Sequence, residues 1–264
     1  MLLKNKNAVI YGAGGAVGGA VARAFAREGA RVFLAGRHRA PVAQVVEDIV
    51  AAGGVAEAAH VDAMDERAVE EHAAAVAKKA GSLDVSFNAI TAVPQPGTQG
   101  IPIIELSVES FTAAIEGYAR SHFLTARAAA RRMVAQRSGV ILMHTPEPGR
   151  LGAPLVGGMG PAWAAMEALN RNLSAELAPH GVRAVCIRST GLPETATIDV
   201  VYGLHARALG LAREQFQALL EGMSHRKRQT TLAEVADAAV FLASDRASAM
   251  TGTVANLTGG MIVD

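Results

Sequence analysis

Cysteine is almost absent from this chain. Cys186 stands alone among 264 residues, which excludes an intrachain disulfide and a zinc cluster built on several thiolates. It lies in an apolar, strand-like run, where a plain buried thiol in a reducing compartment is the direct reading. No apolar run reaches the roughly 18 residues that a membrane-spanning helix requires. The opening Met-Leu-Leu-Lys-Asn-Lys-Asn has charge but no apolar stretch of the kind a signal peptide carries. A cytoplasmic location and no membrane partner are therefore expected. Charge of one sign is also lacking: the formal balance is +1, which gives no electrostatic reason to expect nucleic acid as a partner. No metal site is assigned. Aromatic residues make up only 4%, with three tyrosines and one tryptophan. What is abundant is apolar and small: 50% apolar against 19% charged residues suits an ordinary globular core and argues against disorder.

Short β-type runs alternate with longer helical ones. The strand-like runs are Ala8 to Tyr11, Arg31 to Ala35, Val55 to Val61, Val85 to Ala89, Val140 to His144, Ala184 to Arg188 and Val254 to Leu257. Between them, Gly18 to Glu28, Val42 to Ala52, Glu66 to Ala80 and Phe111 to Arg137 carry alanine-rich apolar faces interrupted by Arg, Glu and Gln, as crossover helices do. Strands too apolar to face water on either side, alternating with helices, predict an α/β fold: a Rossmann-type, doubly wound, seven-stranded parallel sheet with helices on both faces. With no linker or repeat to divide it, residues 1–264 are expected to form a single domain. The least regular stretch, about 189–231, follows the sixth strand and is expected to be a substrate lid.

The first strand runs into Tyr11-Gly-Ala-Gly-Gly-Ala-Val-Gly-Gly19 and then a helix. Glycines allow a tight turn and bring backbone N–H groups against a pyrophosphate, while the helix turns its positive end toward the same anion. Gly12, Gly14, Gly15, Ala16, Val17 and Gly18 are the expected contacts.

In this order of elements the chain resembles the short-chain dehydrogenase/reductase family over nearly its full length. That family's turn reads Thr-Gly-x-x-x-Gly-x-Gly; the matching residues here are Tyr11, Gly12, Ala16 and Gly18, so alanine replaces the middle glycine and should crowd the turn slightly. Val61-Asp62-Ala63 resembles the family's adenine-contacting segment, and Asn88 matches the start of its Asn-Asn-Ala-Gly run. The stretch Ala243 to Gly252, continuing to Gly259-Gly260, resembles its last helix and strand. A nicotinamide cofactor and a homo-oligomer, dimer or tetramer, are what the resemblance implies.

After the second strand an acidic residue would bond a free ribose hydroxyl. This chain has Arg37-His-Arg39 instead. A guanidinium grips a phosphate in bidentate fashion, so NADP(H) is favoured over NAD(H); the alternative is a pair of solvated cations.

The resemblance also implies a Ser, a Tyr, a Lys and a supporting Asn as the chemical machinery. Aligned on the family, those positions are held by Pro146, Met159, Trp163 and Tyr118. Met159 to Leu169, together with Phe87 to Pro94, also resembles the enoyl-acyl-carrier-protein reductase branch, whose longer spacing puts Val156 at the Tyr and again Trp163 at the Lys. A thioether accepts weakly and an indole N–H only donates, so neither moves a proton at neutral pH. Among possible replacements Tyr118 ranks above Tyr202, although a tyrosine packed between helices with its hydroxyl satisfied is the more direct reading, and structural roles explain His122 and His144 better than titration does. His225-Arg-Lys-Arg228 reads as a solvated turn before the helix Leu232 to Leu242, or as a site for the phosphates of a carrier-bound acyl group. Trp163 and its methionine-rich surroundings read as an apolar substrate pocket or as core packing. Three functional readings follow: an NADP(H) oxidoreductase with a relocated acid acting on a lipophilic carbonyl or enoyl compound, a catalytically silent cofactor-binding protein serving as sensor or partner subunit, and a structural protein without cofactor.

Overall fold

A computed structural model describes residues 1–91 and 97–263. The segment 92–94, used in the enoyl reductase comparison, lies outside the described residues. Seven parallel strands form one sheet in the order β3-β2-β1-β4-β5-β6-β7. They are β1 Asn7–Tyr11, β2 Arg31–Gly36, β3 Val55–His60, β4 Val85–Asn88, β5 Gly139–Pro146, β6 Val182–Ser189 and β7 Val254–Leu257. The helices are α1 Ala16–Arg27, α2 Arg39–Ala51, α3 Glu66–Ala80, α4 Val108–Gln136, α5 Met159–Leu177, α6 Ala196–Ala208, α7 Arg213–Met223 and α8 Leu232–Ala243.

The alternation of side chains along the strands explains the double winding. Ala8 and Ile10 of β1 and Val32 and Leu34 of β2 pack with Phe25 of α1, Val45 of α2 and Ala239 of α8. Their neighbours Val9, Tyr11, Phe33 and Ala35 face the opposite way, onto Val69 and Ala73 of α3 and Ala126 to Met133 of α4. Both faces are apolar, so each must be covered by helices. Local chemistry fixes the helix ends. The Asp65 carboxylate accepts from the Ala68 N–H at 3.1 Å and starts α3, and Thr231 and Glu234 form a reciprocal capping box on α8. β5 and β6 are each three residues longer than the apolar runs that announced them, and Pro146 pairs with Ser189 at their ends. Among the described residues no helix is long and apolar enough to cross a membrane.

The strand order reverses between β1 and β4, and the carboxyl ends of the parallel strands open there into a crevice.

Candidate functional site

Two adjoining spaces occupy that edge. The first is a groove of about 420 Å3 whose lining includes Gly12, Gly14, Gly15, Arg37, Asp62 and Ala63. β1 ends at Tyr11 and the chain turns at Gly12, which is left-handed with φ 76°. The N–H groups of Gly12 and Ala13 donate to the Ala35 carbonyl at 2.9 and 3.1 Å. A Cβ on Gly12 would lie 2.8 Å from the Ala89 oxygen, and one on Gly18 would lie 2.4 Å from the Gly12 oxygen. Only glycine fits at either position without moving backbone. α1 then begins at Ala16 with Gly15 as a cap that offers no side-chain acceptor, leaving the first-turn amides for an anion. This cradle fits a dinucleotide pyrophosphate.

Ala16 and Val17 form the first turn of α1 and do not line the groove, while Gly18 is buried under the turn. Ala16 is exposed, so its methyl group does not crowd the turn as expected. Arg37 and His38 are exposed at the groove's lip, and Arg37 forms no ion pair among the described residues. The Asp62 carboxylate accepts the Met64 N–H at 3.0 Å. Asn88 lies outside the lining: its amide donates to Thr125 Oγ1 at 2.7 Å and accepts from the Ile90 N–H at 2.8 Å, anchoring the chain after β4. Gly18→Ala is expected to lose about 1–3 kcal/mol of stability through overpacking and to weaken dinucleotide binding in step, as thermal melts with and without NADPH would register.

The second space is a cavity of about 240 Å3, lined by Pro146, Glu147, Met159, Trp163, Tyr202 and Phe216 with mostly apolar neighbours. Thr91, Tyr118 and Thr197 line both spaces, which therefore meet. The stretch 189–231, irregular by expectation, contains α6 and α7. Thr195 Oγ1 caps α6 by accepting the Ile198 N–H at 3.3 Å, and Tyr202, Ala206 and Phe216 bind the two helices into a cluster. Left-handed Gly210, φ 68°, separates them.

Pro146 ends β5 at the cavity wall. Met159 and Trp163 share a face of α5, as their spacing requires, but it turns to the cavity and to Met143, Met166 and Cys186 instead of the groove. α5 passes close to the turn after β5, where a Cβ on Gly149 would come within 3.0 Å of the Trp163 Cβ. The indole ring meets Tyr118 edge to face at 6.0 Å, and its Nε1 has no partner among the described residues. The methionine-rich environment is thus both core and cavity wall. Val156 lines the cavity too.

Tyr118 shares a hydrogen bond of 2.8 Å with Thr91 Oγ1 at the junction of the two spaces. His122 Nδ1 sits 3.0 Å from the Tyr118 carbonyl, and His144 Nε2 2.8 Å from Ser189 Oγ. Burial pushes both imidazoles down to about 4, so both are neutral at pH 7 and hold structure. Burial raises the Tyr202 phenol further from ionisation, and its oxygen accepts from Gln229 Nε2. Burial likewise pushes the Cys186 thiol up to about 12, so it is inert. The basic run closes on itself: Arg226 and Arg228 pair with Glu234 at 2.6 and 2.7 Å, and Lys227 donates to the Gly222 carbonyl at 2.6 Å.

Sequence reasoning passed over Glu147. It opens a 3-10 turn at Glu147–Gly149 directly after β5, is 7% exposed, and lines the cavity. Burial pushes its carboxyl up to about 7 against the opposing effect of hydrogen bonds from the Glu147 and Gly191 N–H groups. Its Oε2 has no partner among the described residues. The available signal was a carboxylate set between Pro146 and Pro148 at a strand's carboxyl end.

Behind the cavity Arg188 of β6 meets Glu167 of α5 in a bidentate pair, with Nε and Nη2 at 2.8 and 2.7 Å from the two carboxylate oxygens. Both side chains are buried, and Thr145 Oγ1 adds a hydrogen bond to Glu167 at 3.2 Å.

A family model described as enoyl-(acyl carrier protein) reductase matches residues 12–262. The chain belongs to this family, within the short-chain dehydrogenase/reductases. It is 31% identical to an uncharacterized oxidoreductase, YxbG, of Bacillus subtilis over 98% of this chain and 92% of that protein. It is also 31% identical to an L-rhamnose 1-dehydrogenase (NAD(P)(+)) of Azotobacter vinelandii, covering 100% of this chain and 99% of the relative. A crystal structure of a short-chain type dehydrogenase/reductase from Mycobacterium marinum superposes with a TM-score of 0.82 at 26% identity, covering 99% and 97% of the two chains. NAD+-bound xylitol dehydrogenase shares the fold with a TM-score of 0.92 at 23% identity, covering 98% and 100%. Relatives of this kind are oxidoreductases, and a nicotinamide cofactor is the expectation for the fold.

Proposed function

We propose that this chain is an NADP(H)-dependent oxidoreductase acting on a lipophilic carbonyl or enoyl compound, with the family's Ser, Tyr and Lys replaced by Pro146, Met159 and Trp163. The observation that carries this reading is the continuity of a backbone-amide groove, with Arg37 at its lip, and an apolar cavity through Thr91, Tyr118 and Thr197. In it, Gly12, Gly14, Gly15 and the first turn of α1 hold the pyrophosphate. Asp62 and Ala63 flank the adenine, and Arg37 takes the ribose phosphate. The reduced nicotinamide supplies hydride when bound. The chain's own part is to orient the substrate in the cavity, exclude water under α6 and α7, and handle the proton. Helices α6 and α7 serve as the lid, and the protein works in the cytoplasm as a homo-oligomer.

Trp163 is the one tryptophan and touches Tyr118, which lines the groove. NADPH is expected to quench its fluorescence in the full-length chain and to be consumed when uncharged ketones or enoyl thioesters are added. Calorimetry that detects no heat with NADPH or NADH would remove the reading. NADPH binding without turnover across the panel would favour the silent, cofactor-sensing alternative, which the inert Met159 and Trp163 support.

A further inference from the structure

We propose that Glu147 is the acid-base group of the apolar cavity, giving a proton to the oxygen of an uncharged carbonyl substrate as that carbonyl is reduced, with the Trp163 indole N–H as the cavity's second hydrogen-bond donor. This rests on the oxidoreductase reading and adds to it the proton donor and the substrate class.

Placement comes first. Glu147 stands one residue beyond Pro146, at the carboxyl edge of the sheet where β5 and β6 end side by side. It lines the space that adjoins the nucleotide groove. Its carboxyl receives the Gly191 N–H, which fixes one side of the group while Oε2 stays without a partner among the described residues. A buried polar atom left unmatched in a folded protein calls for an explanation, and a ligand atom is a direct one. Trp163 Nε1 is a second such atom on a residue lining the same cavity. One accepts or donates according to its proton and the other only donates. A carbonyl oxygen, which accepts two hydrogen bonds and becomes an alcohol by taking a proton, matches both.

The surroundings decide the protonation state. No lysine or arginine is among the described residues lining the cavity. The other titratable side chains lining the cavity are Tyr118 of α4 and Tyr202 and His205 of α6, and His144 of β5 lies three residues before Glu147. His144 is neutral, and burial lowers His205 as well. Arg213 of α7 lies over the Tyr202 ring but is committed to Asp199 at 2.8 Å. With no cation to hold it ionised, the carboxyl keeps its proton up to about neutrality. A carboxylic acid kept neutral by an apolar site is a competent proton and hydrogen-bond donor. Tyr118 and Tyr202 are weaker choices because their hydroxyls already bond Thr91 and Gln229. The same lack of cations excludes carboxylate or phosphate groups from the reacting end of the substrate.

The step balances. A bound reduced nicotinamide would supply the hydride for the new C–H bond as the carbonyl π bond breaks. The oxygen takes the Glu147 proton, and the carboxylate left behind regains one from water. The carbonyl is reduced and the nicotinamide oxidised by two electrons.

The test uses the full chain with NADPH and a panel of uncharged ketones represented by benzylacetone, with benzoylformate as the anionic comparison. Wild type should reduce benzylacetone in preference to benzoylformate, with a rate that falls as pH rises through neutrality. Glu147→Gln should lower kcat/KM by about 10²–10⁴, lose that pH limb and keep its fold. Independently of turnover, an infrared carboxylic-acid band should fade as pH is raised through neutrality in wild type and be missing from Glu147→Gln. Turnover by wild type that Glu147→Gln matches, an increase in KM alone, or abolition by Tyr118→Phe with Glu147→Gln unaffected would overturn the acid role and leave the oxidoreductase reading standing. Absence of the band at pH 6 would do the same. No turnover of any ketone or enoyl compound would overturn both.

Discussion

Glu167→Ala should destabilise the protein by about 3–5 kcal/mol, the typical cost of removing one member of a buried ion pair. Glu167 and Arg188 have side chains only 6% and 5% exposed, so the substitution strips the guanidinium of the carboxylate that neutralises it where water cannot substitute. Alanine also removes the acceptor of Thr145 Oγ1. These contacts tie β5 and β6 to α5 at the level of Pro146 and Trp163, so the loss should reach the cavity as well as the global melt. At about 2–4 °C per kcal/mol for a chain of this size, the melting temperature should fall by roughly 6–20 °C. Urea unfolding of Glu167→Ala and of the double variant Glu167→Met with Arg188→Met would separate causes. If the penalty comes from an uncompensated charge, the apolar pair should recover most of the stability. A single variant within about 0.5 kcal/mol of wild type, the range of ordinary surface changes, would show that the pair contributes nothing.

The sheet was legible because its strands are apolar on both faces and its helices are amphipathic, two patterns with different periods. Each of the seven strand-like runs falls on one observed strand, and the glycine turn stands where strand, turn and helix predicted it. The carboxyl edge was less legible. Residues 189–231 looked irregular because no strand stands between α6 and α7 to mark their ends, and their order comes from packing Tyr202 against Phe216. Trp163 was expected to face the cofactor because helical spacing gives a common face but not what lies opposite. What lies opposite is the apolar cavity and the cluster of Met143, Met166 and Cys186. Glu147 escaped notice for a related reason: its raised affinity for a proton arises from burial, which depends on α6 closing over the cavity. A list of residue types contains no such information.

Arg37→Asp should raise the Kd for NADPH by about 10- to 10²-fold while changing that for NADH by less than about threefold, since a charge-assisted hydrogen bond is worth about 1.5–3 kcal/mol and each 1.4 kcal/mol is tenfold. The residue follows the last position of β2, Gly36, and lines the groove at its exposed lip. Because it has no ion pair among the described residues, its removal breaks no internal network, and a loss of affinity can be assigned to the ligand. The new carboxylate would repel a ribose phosphate and offer an acceptor to a free ribose hydroxyl, so the two cofactors should respond in opposite directions or nearly so. Arg39 opens α2 close by and serves as the control: Arg39→Ala should leave the preference in place if Arg37 alone grips the phosphate. Isothermal titration at two salt concentrations would also show the NADPH affinity of wild type falling with ionic strength, and that dependence reduced in the variant. Parallel losses for NADPH and NADH would mean that Arg37 supports the groove without reading the phosphate, and the preference for NADP(H) would then have no residue to carry it.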